Sequence, residues 1–250
     1  MNNLVSTDIA VAEYPFKIQP QDVDFQSKIT LASLVNILLT TAGYNADENG
    51  FGIRKLNEMN SSWVLLRLAI EMNYFPKQYD KISVETWIEN IGRSTTTRNF
   101  IIRNKQSEII GTACSMWAMI DLNTRRVCDL QLLEGIQFHA TNIKVDMEKP
   151  IKLEMIDGDP IERLTVKYSD IDINQHTNTM SYVKWITDTF SLKTFQQKSI
   201  KRFEINFLNE ILFGADVSIF AKNIDESDYR FEIRADEKSS CKARIVFDKN

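Results

Sequence analysis

An apolar helical pattern near the N-terminus constrains the fold of this chain most strongly. From Leu31 onwards the apolar residues recur at helical spacing, and no charged residue occurs between Ile29 and Ala46. A helix that is apolar on nearly all sides has to be enclosed by other elements. Thr30 is suited to cap its N-terminus and Gly43 its C-terminus. The sequence therefore predicts a central, largely buried helix that ends at about Gly43.

Segments rich in β-branched and aromatic residues surround this helix and predict strands. In the first half they are Ala10–Ile18, Ser62–Met72, Lys81–Glu89, Thr95–Arg103, Ile109–Asp121 and a shorter one at Val127–Gln131. The polar stretch Asn45–Asn57 predicts a loop with room for a short helix. One buried helix followed by strands at hairpin spacing favours an antiparallel sheet wrapped around it over alternating βαβ units.

The second half repeats this order of elements. Thr141–Pro160 is polar and predicts a connection between two halves. The elements predicted after it are a strand at Arg163–Tyr168, a helix at Asn178–Gln197, and strands at Ile200–Asn209, Asp216–Asn223, Tyr229–Ala235 and Cys241–Phe247. No residue-level repeat is evident, so the duplication is inferred from element order alone. The predicted fold class is α+β, with two similar halves, each a helix on a curved antiparallel sheet.

Charge and cysteine content exclude several classes of function. The net charge of −4 lacks the basic excess typical of nucleic-acid-binding proteins. The 3 cysteines are far apart and predict reduced thiols, and the 2 histidines are too few for a histidine-rich metal site. The N-terminus lacks the signal-peptide pattern, and no run approaches the roughly 18 apolar residues of a membrane-spanning helix. We therefore expect a soluble, cytoplasmic protein with no membrane insertion, metal or organic cofactor.

The stretch Tyr168–Trp185 contains the most chemically suggestive side chains. Asp172, Asn174 and His176 occupy alternate positions and would share one face of an extended chain, just before a second apolar helical pattern. A carboxylate, a carboxamide and an imidazole beside the free N–H groups of a helix start are the parts that acyl transfer to water requires. The same residue types are common in turns and helix caps, so their spacing alone leaves both interpretations open.

Three stretches together resemble the fatty acyl-ACP thioesterase family of plants and bacteria. They are Ala42-Gly43 with Gly50-Phe51-Gly52-Ile53, Trp63-Val64-Leu65 and Arg67; then Val84-Glu85-Thr86-Trp87, Gly92-Arg93, Arg98-Asn99-Phe100, Ser115-Met116-Trp117 and Thr124-Arg125; then Asp172–Asn178 with Tyr182 and Trp185. The resemblance implies a tandem double hotdog, with two antiparallel sheets each wrapped around a long central helix. It implies an N-terminal hotdog with the acyl-chain pocket at 1–140, a connecting segment at 141–160 and a catalytic C-terminal hotdog at 161–250.

The resemblance also implies an activity and its residues. The activity is hydrolysis of the thioester between a fatty acyl chain and acyl carrier protein, which releases free fatty acid and ends chain elongation. The family's Asp-x-Asn-x-His residues fall on Asp172, Asn174 and His176, and its later acid falls on Glu210. Ile211 stands where the family has Cys, which disfavours a cysteine mechanism.

In the mechanism that we expect, His176 and Glu210 act as base and proton relay for a water, and either could be the base. Asn174 would hold the water or the carbonyl, and Asp172 would orient Asn174 or His176. Backbone N–H groups at the start of the second helix would form the oxyanion hole. The first helix is expected to serve either as core or as the lining of an acyl tunnel.

Two other functions remain open at the level of sequence. One is an acyl-CoA thioesterase, and the other is a non-catalytic acyl-binding hotdog protein, which the complete set of four site residues disfavours. A positive patch near the site entrance, formed by Lys193, Lys198, Lys201 and Arg202, would favour an acidic carrier protein as partner. A homodimer through sheet edges is one option for such a fold, and the sequence leaves the acyl chain length open.

Overall fold

The structure, a computed structural model, describes residues 11–248. The absence of a signal peptide was predicted largely from residues 1–10, which lie outside the described part, as does the first residue of the predicted strand Ala10–Ile18. The strands are β1 Ala12–Lys17, β2 Ser61–Met72, β3 Lys81–Ile91, β4 Thr95–Asn104, β5 Ile109–Asp121, β6 Glu162–Thr165, β7 Ile200–Phe207, β8 Asp216–Asn223, β9 Asp228–Ala235 and β10 Lys238–Phe247. The α-helices are α1 Leu31–Glu48, α2 Ile53–Glu58, α3 Thr179–Asp188 and α4 Leu192–Gln197.

The strands form one continuous sheet, where two separate sheets were predicted. Its 10 strands are antiparallel throughout, in the order β1-β3-β4-β5-β2-β7-β10-β9-β8-β6. The halves join through β2 and β7, paired from Arg67↔Asn206 to Glu71↔Arg202. Joining them pairs backbone groups that two separate sheets would leave as unpaired edges. Read from one end the strands of the first half are β1, β3, β4, β5 and β2, and read from the other end those of the second half are β6, β8, β9, β10 and β7. Each strand thus has a counterpart at the same place in the other half, and the halves are related by a pseudo-twofold axis.

The first helix is the buried element that the sequence predicted, but it is longer. The hydroxyl of Thr30 accepts a hydrogen bond from the amide of Ser33, which confirms the predicted N-cap. Gly43 does not end α1, because Asn45 and Ala46 continue its buried face and the helix extends to Glu48. Its buried side chains form one core with α3 and the inner face of the sheet.

The predicted helix Asn178–Gln197 is two helices. α3 ends at Asp188, and the hydroxyl of Ser191 accepts from the amide of Thr194 to start α4. Between them the ring of Phe190 packs edge-on against Tyr229 and Phe247. The break therefore turns a large aromatic side chain into the core of the second half.

Two strand predictions in the loops were also wrong. Val127 forms only an isolated bridge with Ile120, and a 3-10 helix follows, where Asp129 accepts from the amide of Gln131. The strand predicted to reach Tyr168 ends at Thr165, because a 3-10 turn begins at Tyr168.

The segment at 141–160, predicted as a polar connection, lies across the outer face of the sheet. The amides of Ile151, Leu153 and Ile156 donate to the side chains of Glu204, Asn206 and Glu232, at 3.2, 3.2 and 2.8 Å. These three acceptors alternate along their strands with residues of the inner core, so they point away from the helices. Buried polar groups on the outer face thus obtain their partners from the connecting segment.

Candidate functional site

The residues Asp172 to His176 form a tight turn, where an extended segment was predicted. The carboxylate Oδ1 of Asp172 accepts from the amides of Asn174 and His176 at 2.8 and 3.2 Å, and Gln175 has a φ of 65°. Ile173, at the tip of the turn, is 97% exposed. Asp172 therefore holds Asn174 and His176 through hydrogen bonds from their backbone amides.

The start of α3 borders this turn. The side-chain oxygen of Asn178 accepts from the amide of Ser181 at 2.9 Å, and its side-chain NH₂ donates to the carbonyl of Asp170 at 2.8 Å. Within residues 11–248, no acceptor pairs with the amides of Thr179 and Met180. Such amides at a helix start are available to an incoming anion.

Glu210 reaches the turn through backbone pairing between distant segments. Thr177 donates its amide to the carbonyl of Ile211 at 2.8 Å, and His176 bridges Leu212. As a result, Nε2 of His176 lies 3.2 Å from Oε2 of Glu210. The structure thus brings together two candidate residues that the sequence could associate only through the family resemblance.

Arg125 is a fifth member of the cluster, to which the sequence analysis gave no role. It lies in the turn after β5 and forms an ion pair with Oε1 of Glu210. Thr124-Arg125 contributed to the family resemblance, but nothing in its spacing connects it with Glu210. Both carboxylate oxygens of Glu210 are therefore engaged, one by Arg125 and the other by His176.

The cluster lines a cavity of about 430 Å³, which we call the reaction cavity. Its lining includes Asp172, Asn174, His176, Glu210 and Arg125. The side-chain amide of Asn174 bonds no other residue within 11–248, so it is available to a ligand.

A second cavity of about 390 Å³, the chamber, lies in the first half. The two cavities share Leu39, Trp63 and Trp117 as lining residues. The two indoles were interpreted as core or sheet-face residues, and both are only half-buried. These three apolar side chains therefore lie between the reaction cavity and the chamber.

The chamber is mostly apolar, but Asp47, Arg54 and the buried guanidinium of Arg98 also line it. Arg98 donates to Oδ1 of Asn45 at 2.7 Å and to Oγ1 of Thr86 at 3.1 Å. Its burial lowers the pKa of Arg98 to about 10. α1 contributes the small residues Ala42 and Gly43 to the lining, together with Tyr44 and Asp47.

The cysteines do not take part in the cluster. Burial raises the pKa of Cys114 to about 11 and that of Cys241 well above its usual value, so both are thiols near neutral pH. None of the three cysteines lines the reaction cavity. Across residues 11–248, no group of three or more His, Cys, Asp or Glu side chains is arranged to hold a metal ion. No helix in the same span is long and apolar enough to cross a membrane.

The basic patch that would have favoured an acidic carrier protein does not form at the reaction cavity. Arg202 is buried in ion pairs with Glu71 and Glu204, because β7 turns its side chain onto the outer face of the sheet. Lys198 lines a different cavity, and neither Lys193 nor Lys201 lines the reaction cavity. The charge argument for an acidic partner is therefore not supported by these four residues.

Comparison with known proteins gives matches along nearly the whole chain. Residues 10–132 match the family model for the acyl-ACP thioesterase N-terminal domain, and residues 153–249 match that for the C-terminal domain. The oleoyl-acyl carrier protein thioesterase of Coriandrum sativum is 26% identical over 84% of this chain and 62% of its own length. An acyl-[acyl-carrier-protein] hydrolase of Cuphea viscosissima is 27% identical over 78% of this chain and 50% of its own. The chain thus spans between half and two thirds of these curated relatives.

Solved structures match the fold over most of the chain. The crystal structure of an acyl-ACP thioesterase from Bacteroides thetaiotaomicron superposes with a TM-score of 0.90 at 39% identity, covering 95% of this chain and 98% of the other. A 12:0-ACP thioesterase from Umbellularia californica superposes with a TM-score of 0.82 at 22% identity, covering 96% and 98%. The second likeness concerns the fold alone.

Proposed function

The chain belongs to the acyl-ACP thioesterase family, and on that premise we propose that it hydrolyses the thioester of fatty acyl-[acyl carrier protein]. The products would be free fatty acid and the carrier protein, and chain elongation would end there. The observation that carries this proposal is the His176–Glu210 pair in a cavity that shares three lining residues with a mostly apolar chamber. Activated water and space for an acyl chain are the two requirements of the reaction.

His176 is the general base in this proposal. Glu210 has one oxygen on Arg125 and the other on Nε2 of His176, so the imidazole is the group left to take a proton. In the neutral imidazole of this proposal, the proton is on Nε2, which faces Oε2 of Glu210 at 3.2 Å, and Nδ1 accepts a proton from water. Glu210 then orients the ring and stabilises the imidazolium that forms.

The oxyanion is stabilised by Asn174 and by the start of α3. The unpaired side-chain amide of Asn174 donates to the thioester oxygen, and the amides of Thr179 and Met180 supply two further donors. Preorganised donors of this kind stabilise the developing negative charge more than the substrate. Asp172 holds the turn and does not contact the reacting atoms.

The acyl chain occupies the chamber in this proposal. It passes Leu39 and the two indoles that the cavities share, and lies along α1. Each half is a hotdog unit, with the acyl pocket in residues 1–140, the connection at 141–160 and the reacting groups in 161–250. The carrier protein remains outside, at the mouth of the reaction cavity.

A panel of acyl-ACPs of different chain lengths, with the same acyl-CoAs alongside, tests the proposal. His176→Ala should lower kcat by about 10²- to 10⁴-fold, the usual contribution of general-base catalysis. The matched control is His139→Ala, since His139 packs against Phe51 and does not line the reaction cavity. Absence of turnover with every thioester would reject the function. Equal turnover of acyl-CoA would transfer the proposal to the acyl-CoA class.

A further inference from the structure

A third cavity, of about 510 Å³, lies away from the reaction cavity and has no role in the proposed reaction. We call it the distal cavity. Its lining comes from the turn before α1, from Phe75 in the loop after β2 and from the segment Thr187 to Ile200. Three of its lining side chains are Phe75, Phe190 and Phe195, so it is largely apolar.

The turn in its wall repeats the turn of the candidate site. Oδ1 of Asp24 accepts from the amides of Gln26 and Lys28, at 2.8 and 3.0 Å. Ser27 has a φ of 60°, as Gln175 has 65° at the same place in the other turn. Lys28 therefore occupies the position that His176 occupies in the second half.

The backbone pairing beyond the turn is repeated as well. Ile29 donates to the carbonyl of Pro76 at 2.9 Å, as Thr177 donates to that of Ile211 at 2.8 Å. Phe75, which precedes Pro76, lines the distal cavity, and Glu210, which precedes Ile211, lines the reaction cavity. Phe75 therefore occupies the position of Glu210.

A second lysine enters the distal cavity by the same symmetry. The join between β2 and β7 is centred on the pair Ala69↔Glu204. Trp63 lies six residues before Ala69, and Lys198 lies six residues before Glu204. Lys198 is therefore the counterpart of Trp63 in the other half. The distal cavity is thus the pseudo-twofold counterpart of the reaction cavity, with lysines replacing a histidine and a tryptophan.

We propose that the distal cavity is a second acyl site that binds a long-chain fatty carboxylate without hydrolysing anything. Its phenylalanines surround the chain, and Lys28 and Lys198 pair with the carboxylate. It lacks a counterpart of the His176–Glu210 pair, so it cannot activate water in the same way. The fatty carboxylate would also be the product of the enzyme, and this part of the inference rests on the proposed function.

The lining carries two carboxylates, Asp24 and Asp188, beside the two lysines, so the lysines bind the ligand by direct pairing and not through a net positive charge. Oδ1 of Asp24 is engaged by two amides of its own turn. Lys198 donates to the carbonyl of Glu226 at 2.6 Å, which leaves two of its three N–H groups for a ligand. Asp188 is exposed in the lining and would repel a carboxylate, so Asp188→Asn should tighten binding.

The test is photo-crosslinking of the intact protein with a hexadecanoic acid that carries a diazirine, followed by peptide mapping. Label is expected in residues 24–31 and 187–200, and it should be displaced by unlabelled hexadecanoate. Lys28→Glu with Lys198→Glu should weaken binding about tenfold or more, because two charge-assisted hydrogen bonds are replaced by repulsion. Lys193→Glu is the matched control, since Lys193 is exposed on α4 and does not line the cavity.

A second arm does not depend on the stability of any variant. The methyl ester of the same chain should label the distal cavity at least tenfold more weakly than the acid, since it lacks the charge. Label confined to the chamber, or equal labelling by acid and ester, would overturn the proposal. The assay needs no turnover, so a protein that labels without hydrolysis contradicts only the proposed function, and hydrolysis without distal label contradicts only this inference.

Discussion

Asp24 and Asp172 form equivalent turns in the two halves of the molecule, each accepting through Oδ1 from the amides two and four residues further on. Only the second turn supports a histidine paired with a glutamate. The hydrogen-bond pattern therefore belongs to the turn and not to the chemistry. Asp172 is, by this comparison, a positioning residue.

Replacement of Asp172 by Asn should leave kcat largely unchanged, because the amide oxygen of Asn can still accept from both backbone N–H groups. Replacement by Ala should lower kcat by about 10- to 100-fold, since the turn would no longer hold Asn174 and His176 in place. Steady-state kinetics of both variants on one acyl-ACP measure the difference. Asp24→Ala, which opens the equivalent turn, is the control and should keep kcat. Equal losses in D172N and D172A would instead assign a role to the charge.

Loss of Arg125 should misplace Glu210. Arg125→Ala is expected to lower kcat by about 10- to 100-fold with little change in KM, because Glu210 loses one of its two partners. Arg125→Lys should recover part of the activity by restoring a positive charge. Arg126→Ala, at the exposed neighbouring position, is the control. A rise in KM alone would indicate that Arg125 binds the carrier and does not position Glu210.

A larger side chain at Gly43 should shorten the preferred acyl chain and increase the stability of the protein. A Cβ at Gly43 would meet no heavy atom within 4 Å, and the residue lines the chamber from within α1. Gly43→Leu should shift the preference to shorter acyl chains and raise the free energy of unfolding by up to about 1 kcal/mol through helix propensity. Gly43→Ala should give the stability gain with a smaller shift. An unchanged chain-length profile in G43L would place the acyl chain elsewhere.

Protonation of Glu232 at low pH should weaken its hydrogen bond with the connecting segment at 141–160 and lower the stability of the protein. Burial acts to raise the pKa of Glu232, but hydrogen bonds from Arg234 and from the amide of Ile156 outweigh it and leave the pKa below its ordinary value. A carboxyl with a lowered folded-state pKa contributes stability above the unfolded value of 4.5, and that contribution is lost as pH falls through the folded value.

Glu232→Gln should therefore be less stable at neutral pH, by about 1–3 kcal/mol, and should lose less stability on acidification. Urea unfolding between neutral pH and pH 4 measures both effects. Glu237→Gln, in the exposed turn between β9 and β10, should behave like the unaltered protein. Parallel acid profiles for E232Q and the unaltered protein would contradict the argument.

Much of the fold could be read from local patterns. The buried face of α1, its N-cap at Thr30 and strands such as Ile109–Asp121 and Asp216–Asn223 depend on neighbouring residues, and the sequence predicted them. The break before Ser191 was missed, because the helical apolar spacing continues through Phe190. The local signal was Ser191, which caps α4, and the packing of Phe190 against Phe247 accompanies the break. Asp172, Asn174 and His176 were noted from their spacing and Glu210 through the resemblance alone, and the role of all four remains a proposal.

The sequence by itself determined the class of elements, their order and the family, because periodicity, capping and motif are local properties of a chain. Only the tertiary structure decided which groups meet. The sheet joins the halves through β2 and β7, a backbone pairing places Glu210 beside His176, and Arg125 arrives from the other half. The pseudo-twofold relation between Lys28 and His176 was equally invisible, because it resides in equivalent hydrogen bonds and not in similar side chains. Contacts between residues far apart in sequence depend on the packing of whole elements, which no local pattern encodes.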